Sequence, residues 1–151
     1  MTSLQTDQLM TRAIEQAQQG QTAFGAVITT GEGEVLSEAP NTVGATGDVT
    51  AHAEINALRQ LSAGLRKRHQ GNLHLFTTCE PCPMCMSAII FAGITTVYYG
   101  ATIPQAALFT SQIDLRVATV VNAAPRAPEL HAEVRNQECL QLFNIWQNTK
   151  K

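Results

Sequence analysis

Apolar residues recur along this chain in two rhythms. Leu4, Leu9, Ile14 and Ala17 fall among Gln, Asp and Glu up to Gly20, which predicts an amphipathic helix over 4–19 with a glycine stop. Ala23 to Ile28 is a short continuous apolar run, read as a buried strand. Gly31-Glu32-Gly33 then marks a hairpin turn into a return strand at Val35-Leu36. Residues 39–49 are turn-rich and polar and are expected to form a loop. A second helix is predicted from Ala51 to about Leu65, capped by Thr50, with Ile55, Leu58 and Leu61 facing inward. Leu73 to Thr77 reads as a strand. Pro81 suits the first position of a third helix running through Met84, Ala88, Ile89 and Phe91 to Gly93. Thr95 to Tyr99 is β-branched and aromatic, hence a strand. A short helix is expected over 103–109 and another strand at Val117–Val121. Beyond Pro125 a last helix is predicted from about Pro128 to Asn148, anchored by Leu130, Val134, Leu140, Phe143 and Trp146.

Strands alternating with helices imply an α/β architecture, a mixed sheet with helices on both faces. At 151 residues the expectation is one domain spanning 1–151. Hydrophobic content of 44% against 15% charged places the chain among globular proteins. Net charge −2 does not suggest a general polyanion binder. The longest apolar run, Ala88 to Ala92, is too short to span a membrane. Met1 to Asp7 shows no basic segment followed by an apolar one, so a cytoplasmic location is expected.

The chemistry concentrates in two stretches, His52-Ala53-Glu54 and Pro81-Cys82-Pro83-Met84-Cys85. His52, Cys82 and Cys85 supply three zinc ligands and leave a fourth position open, as a catalytic zinc requires. Residues i and i+2 do not share a face in mid-helix. His52 and Glu54 can therefore serve one site only if it is approached end-on, at a helix start. Cys82 and Cys85, at i and i+3, share a face in the first turn of the next helix. Glu54 is then placed to carry protons rather than to ligate. A redox pair, or half of a structural zinc site, is the alternative for the CxxC alone. No second CxxC completes a closed site, and a structural zinc would leave Glu54 without a role. Cys79 is expected at a buried strand end and Cys139 in a helix core. His69, His74 and His131 read as surface or satisfied core residues, Trp146 as packing, and Arg66-Lys67-Arg68 as a solvated helix end.

These two stretches resemble the HxE…PCxxC pattern of the cytidine deaminase-like zinc deaminases. The similarity covers roughly Phe24 to Gly100 and, more weakly, the last helix. It implies a three-layer α/β/α cytidine deaminase-like fold with a central mixed five-stranded sheet. It also implies one Zn²⁺ per chain with a bound water. Thr78-Cys79-Glu80-Pro81-Cys82-Pro83-Met84-Cys85 looks most like bacterial guanine deaminases, with tRNA adenosine deaminases as near relatives.

The resemblance further assigns Asn41 to hydrogen-bonding the base, Phe24 to the pocket wall and Ala53 to a backbone contact near Glu54. Asp114 matches an acidic residue of guanine deaminases with the spacing off by about one, within a Thr110-Ser111-Gln112-Ile113-Asp114 segment that departs from their pattern. The related small deaminases are commonly homodimers, so a homodimer is implied here.

The leading expectation is hydrolytic deamination of a free nucleobase or similar amino-heterocycle, guanine first. The alternatives are tRNA adenosine deamination and a zinc-binding module without catalysis. The last helix carries Glu129, Glu133 and Glu138 against Arg135, Lys150 and Lys151, which offers no basic stripe and makes nucleic acid the less expected partner. The Arg66-Lys67-Arg68 cluster is the contrary feature.

Overall fold

The computed structural model describes residues 1–149. Lys150 and Lys151, counted in the charge comparison above, lie outside them. The chain is built on one five-stranded sheet in the order β2-β1-β3-β4-β5. Its strands are β1 (Gly25–Thr30), β2 (Val35–Pro40), β3 (Leu73–Cys79), β4 (Thr96–Ala101) and β5 (Glu129–His131). β1 runs antiparallel to both β2 and β3, whereas β3, β4 and β5 are parallel. The expected mixed five-stranded sheet with helices on both faces is thus the fold observed.

Alternate strand residues feed two cores, because successive side chains leave opposite faces of a sheet. Val27, Phe76 and Tyr98 point to one face, where α1 (Ser3–Gln19) and α8 (Asn136–Thr149) cover them with Met10, Ala13, Ala17, Cys139, Leu142 and Phe143. Ala26, Ile28, Leu75, Val97 and Tyr99 point to the other. There α3 (Ala53–Gln60), α5 (Pro83–Phe91) and α7 (Val117–Asn122) supply Ala57, Met86, Ile89, Val117 and Val121. A strand buried on both sides is mostly apolar on both, which is why β1 carries the run Gly25 to Ile28 and β4 the run Val97 to Tyr99. α1 lies very close on β1. A Cβ at Gly25 would stand 2.1 Å from the carbonyl oxygen of Ala13 and 2.5 Å from the backbone nitrogen of Ala17.

Several sequence expectations give way. Thr50 does not cap the second helix: its backbone N–H and its hydroxyl both donate to Asp48, and α3 begins at Ala53 with His52 as N-cap. The predicted single helix is two. α3 ends at Gln60 with Leu61 as its C-cap, and Ser62 caps α4 (Ala63–Arg68) by accepting from the Leu65 N–H at 3.1 Å. Ile55 stays half-exposed, and Ala53, Glu54 and Ala57 form the buried face of α3 instead. The loop at 39–49 contains a helical turn, α2 (Val43–Thr46). Pro83, not Pro81, takes the first turn of α5, after Cys82 as N-cap. The helix expected over 103–109 is shorter, α6 (Ile103–Ala106).

Val117–Val121 is helical, as α7, and not a strand; the fifth strand is Glu129–His131. The last helix accordingly starts at Asn136. Leu130 sits in β5 and Val134 in the connection, where Glu133 and Arg135 take positive φ values of 59° and 51°. No helix among the described residues is long and apolar enough to cross a membrane.

Candidate active site

β3 ends at Cys79, and the chain turns directly through Glu80 and Pro81 into α5. The N-termini of α3 and α5 meet at this end of β3, the usual place for a site in an α/β sheet. His52 and Cys82 are the two N-cap residues, and neither side chain caps its own helix. They face each other instead. His52 Nδ1 lies 3.7 Å from Cys82 Sγ and 3.5 Å from Cys85 Sγ. All three potential ligand atoms fall within 4.8 Å of one another.

A tetrahedral zinc with Zn–S near 2.3 Å and Zn–N near 2.0 Å sets nitrogen and sulfur about 3.5 Å apart. The three donors therefore fit one zinc ion as they stand, with a fourth position left for a small ligand.

Hydrogen bonds among the three donors couple their ionisation. A hydrogen bond from Cys85 draws the Cys82 thiol down to about 4, with His52 adding to the effect. The same bond, with burial, pushes Cys85 up. His52 is raised by its hydrogen bond to Cys82.

Glu54 is buried in the first turn of α3, and Thr77 of β3 donates its hydroxyl to Glu54 Oε1 at 3.1 Å. Burial raises the Glu54 pKa, and the nearby Cys82 charge adds to this. A carboxyl so placed holds and returns a proton more readily than an exposed one.

The loop before α3 is pinned by a residue that the sequence reading passed over. The Asn56 side-chain amide donates to Pro40 O and Thr42 Oγ1, both at 2.9 Å, and to Ala51 O at 3.2 Å. That clasp fixes the segment carrying Asn41 against the helix carrying His52. Glu80, also passed over, has a fully buried carboxylate. It accepts from the backbone N–H of Ile103 and of Val117, each at 2.9 Å, and from Arg116 Nε. No local pattern marked it, because the helix starts it holds lie 23 and 37 residues further along the chain.

These elements enclose a cavity of about 430 Å³. His52, Glu54 and Cys82 line it. Phe24, Asn41, Val43, Thr110, Ser111, Gln112 and Trp146 stand around it. Asn41 Oδ1 accepts from the Val43 N–H at 3.1 Å, and its amide N–H groups have no protein partner among the described residues. Ala53 is fully buried between His52 and Glu54 and is not part of the cavity wall. Asp114 is exposed and stands outside it; the loop brings Thr110, Ser111 and Gln112 to the cavity in its stead. Trp146, read as packing, lines it.

Residues 3–101 match the cytidine and deoxycytidylate deaminase zinc-binding region, and the chain belongs to that family of zinc deaminases. It is 38% identical to the guanine deaminase of Bacillus subtilis over 83% of this chain and 80% of that one. It is 34% identical to a tRNA-specific adenosine deaminase of Agrobacterium fabrum over 80% and 78%. A match of 38% to the tRNA(Ile)-lysidine synthase of Deinococcus radiodurans spans 68% of this chain but 18% of that protein.

Among solved structures, a tRNA:A34 deaminase superposes with TM-score 0.74 at 28% identity, covering 89% of this chain and 98% of that one. The guanine deaminase of Nitrosomonas europaea superposes at 0.80 over 94% and 84%, at 21% identity, and so speaks for the fold alone.

Proposed function

We propose that the protein catalyses zinc-dependent hydrolytic deamination of a free nucleobase, with guanine, giving xanthine, as the leading substrate. The observation that carries this reading is the buried Glu54 carboxyl, two residues from His52 and opening onto the same cavity as His52 and Cys82.

When held by His52, Cys82 and Cys85, zinc supplies a Lewis acid that makes water nucleophilic near neutral pH. The Glu54 carboxylate takes a proton from water as its oxygen adds to the amino-bearing ring carbon. The same carboxyl then delivers a proton to the exocyclic nitrogen. The C–N bond breaks, ammonia leaves, and the ring keeps the new C–O bond. The amide N–H groups of Asn41, without a partner among the described residues, suit a ring acceptor such as a carbonyl oxygen or an aza nitrogen. The substrate contact expected of Asp114 is assigned instead to Thr110, Ser111 and Gln112, on the position of that loop.

The cavity lining supports a free base over a nucleic acid. Its ionisable members are Glu54, Glu80, His52, Cys79 and Cys82, with neither Lys nor Arg among the described lining residues. Arg66, Lys67 and Arg68 lie in α4, beyond the end of α3 that points away from the site. Deamination of tRNA adenosine is the second reading, favoured by the similarity to tRNA-specific adenosine deaminases.

Ammonia release from guanine, other aminopurines, cytosine and an anticodon stem-loop separates the two. Free guanine consumed is the expected result; inosine formed in the RNA with no free base consumed would overturn it. A homodimer is part of the proposal. Phe91, 84% exposed on α5, and Leu108, 80% exposed beyond α6, are apolar surface that self-association would cover. A monomer by light scattering would refute that part.

A further inference from the structure

The cavity wall contains a perpendicular aromatic pair whose outer member packs only partly against the core. Phe24 leads into β1, and its ring meets that of the fully buried Phe143 edge-on, at 5.4 Å and 89°. Phe143 fills the core beneath, so Phe24 is held in place. Trp146, one turn further along α8, meets Phe24 at 5.3 Å and 79°. It is only half-buried, and it opens onto the same cavity as His52, Glu54 and Cys82.

Two rings at nearly a right angle make a corner. A flat ligand lying parallel to one ring presents its edge to the other, and both contacts suit the charge distribution of aromatic rings. Much of the rest of the wall is polar, with Thr22, Asn41, Thr110, Ser111 and Gln112. Apolar ring surface is therefore concentrated where Phe24 and Trp146 meet.

We propose that Trp146 is the ring-recognition residue of this pocket. It stacks a planar heteroaromatic ligand in the corner it forms with Phe24, and it favours two-ring over one-ring bases. The preference follows from area: the indole is itself two fused rings, and stacking grows with overlapped surface. This inference rests on the free-base reading above and names the feature of the site that would select purine-sized substrates. It also gives the late turn of α8 a role beyond core packing.

The test uses zinc-loaded Glu54→Ala protein, which keeps the pocket but removes the proton carrier, so ligand is bound without turnover. Calorimetry with 2,6-diaminopurine as the two-ring probe and cytosine as the one-ring probe gives affinities for Trp146, Trp146→Leu and Trp146→Phe. Leu keeps apolar bulk for the core but has no ring face.

The expected result for Leu is a loss of diaminopurine affinity on the order of ten- to a hundredfold, the range for aromatic–base stacking, and a smaller loss for cytosine. Phe recovers most of it. Because this is the chain's single Trp, its emission should change as diaminopurine saturates the site. Unchanged diaminopurine affinity in the Leu variant, whatever its melting temperature, overturns the proposal and leaves the free-base reading standing. If the parent protein binds neither base, the free-base reading itself fails and takes this inference with it.

Discussion

Both carboxylate oxygens of Glu80 accept from Arg116 Nε, at 2.9 and 3.0 Å, although Glu80 is fully buried and Arg116 is 47% exposed. The two ends of this pair differ in what they hold. Glu80 also takes the first N–H of α6 and of α7, so it ties both helix starts to the end of β3, two residues before Cys82. The segment between those helices carries Thr110, Ser111 and Gln112 over the cavity. Glu80→Ala should cost about 3 kcal/mol in urea unfolding, because two buried backbone donors lose their acceptor. Arg116→Ala should cost about 1 kcal/mol or less, since its guanidinium is half in water and the two backbone N–H groups still hold the carboxylate. Equal losses would mean that the ion pair, and not the helix anchoring, is what matters.

Which parts of this arrangement could be read beforehand depends on what each residue answers to. β1 was legible because burial on both faces demands a continuous apolar run, and β4 by its β-branched and aromatic residues. Zinc-ligand chemistry made His52, Cys82 and Cys85 legible by type and spacing. Thr50 was mistaken for a cap because His52, whose side chain turns to the two thiols, leaves no capping signal at its own N-cap position. Val117–Val121 looked like a strand by β-branching. Its burial is instead helical, with Val117 and Val121 inward at i and i+4 and Ala118 and Thr119 exposed. Packing against α5 and the anchor at Glu80 outweigh the intrinsic preference of valine. Glu80, Asn56 and Trp146 matter through partners far away in sequence, and no local pattern carries that.

Glu54 and the three ligands should separate cleanly by substitution. Glu54→Ala should keep zinc at about one per chain by metal analysis, yet lose roughly a hundredfold or more of the ammonia-release rate. His52→Ala and Cys82→Ala should lose the zinc itself. Dialysis against a chelator should lower the melting temperature of the parent and of Glu54→Ala alike, and added zinc should restore both, since a ligand bound only by the folded state stabilises it. A Glu54→Ala protein without zinc would make Glu54 a ligand and remove it from proton transfer.

Two glycines should respond to alanine in opposite directions. At Gly25 the new methyl meets the α1 backbone at 2.1 and 2.5 Å, so the helix itself would have to lift off the sheet. A loss of about 2–3 kcal/mol in unfolding, or failure to fold, is expected. Gly64 lies in α4 with nothing within 4 Å of the added Cβ. There alanine should stabilise by about 0.5–1 kcal/mol, through helix propensity and a less flexible unfolded chain. A tolerated Gly25→Ala would mean that α1 packs more loosely on β1 than the structure has it.

His74 gives the fold an acid-sensitive point away from the zinc ligands. It leaves β3 on the face that carries Tyr98; the two rings lie 5.8 Å apart, and its Nδ1 is buried without a hydrogen-bond partner among the described residues. Burial lowers its pKa below the ordinary 6.5; the N-terminal amine and His131 push the same way, while Glu129 and Glu32 oppose them. Within the window just under 6.5 the unfolded chain binds the proton more readily than the folded one, so stability rises with pH. The His74 contribution is complete above 6.5 and is lost as the pH falls toward the lowered folded value. His74→Phe cannot take up that proton. Melting temperatures of parent and variant, both zinc-loaded, should therefore draw apart between neutral pH and about pH 5, the parent falling more steeply. Parallel curves would show that His74 ionises alike in the folded and unfolded chains.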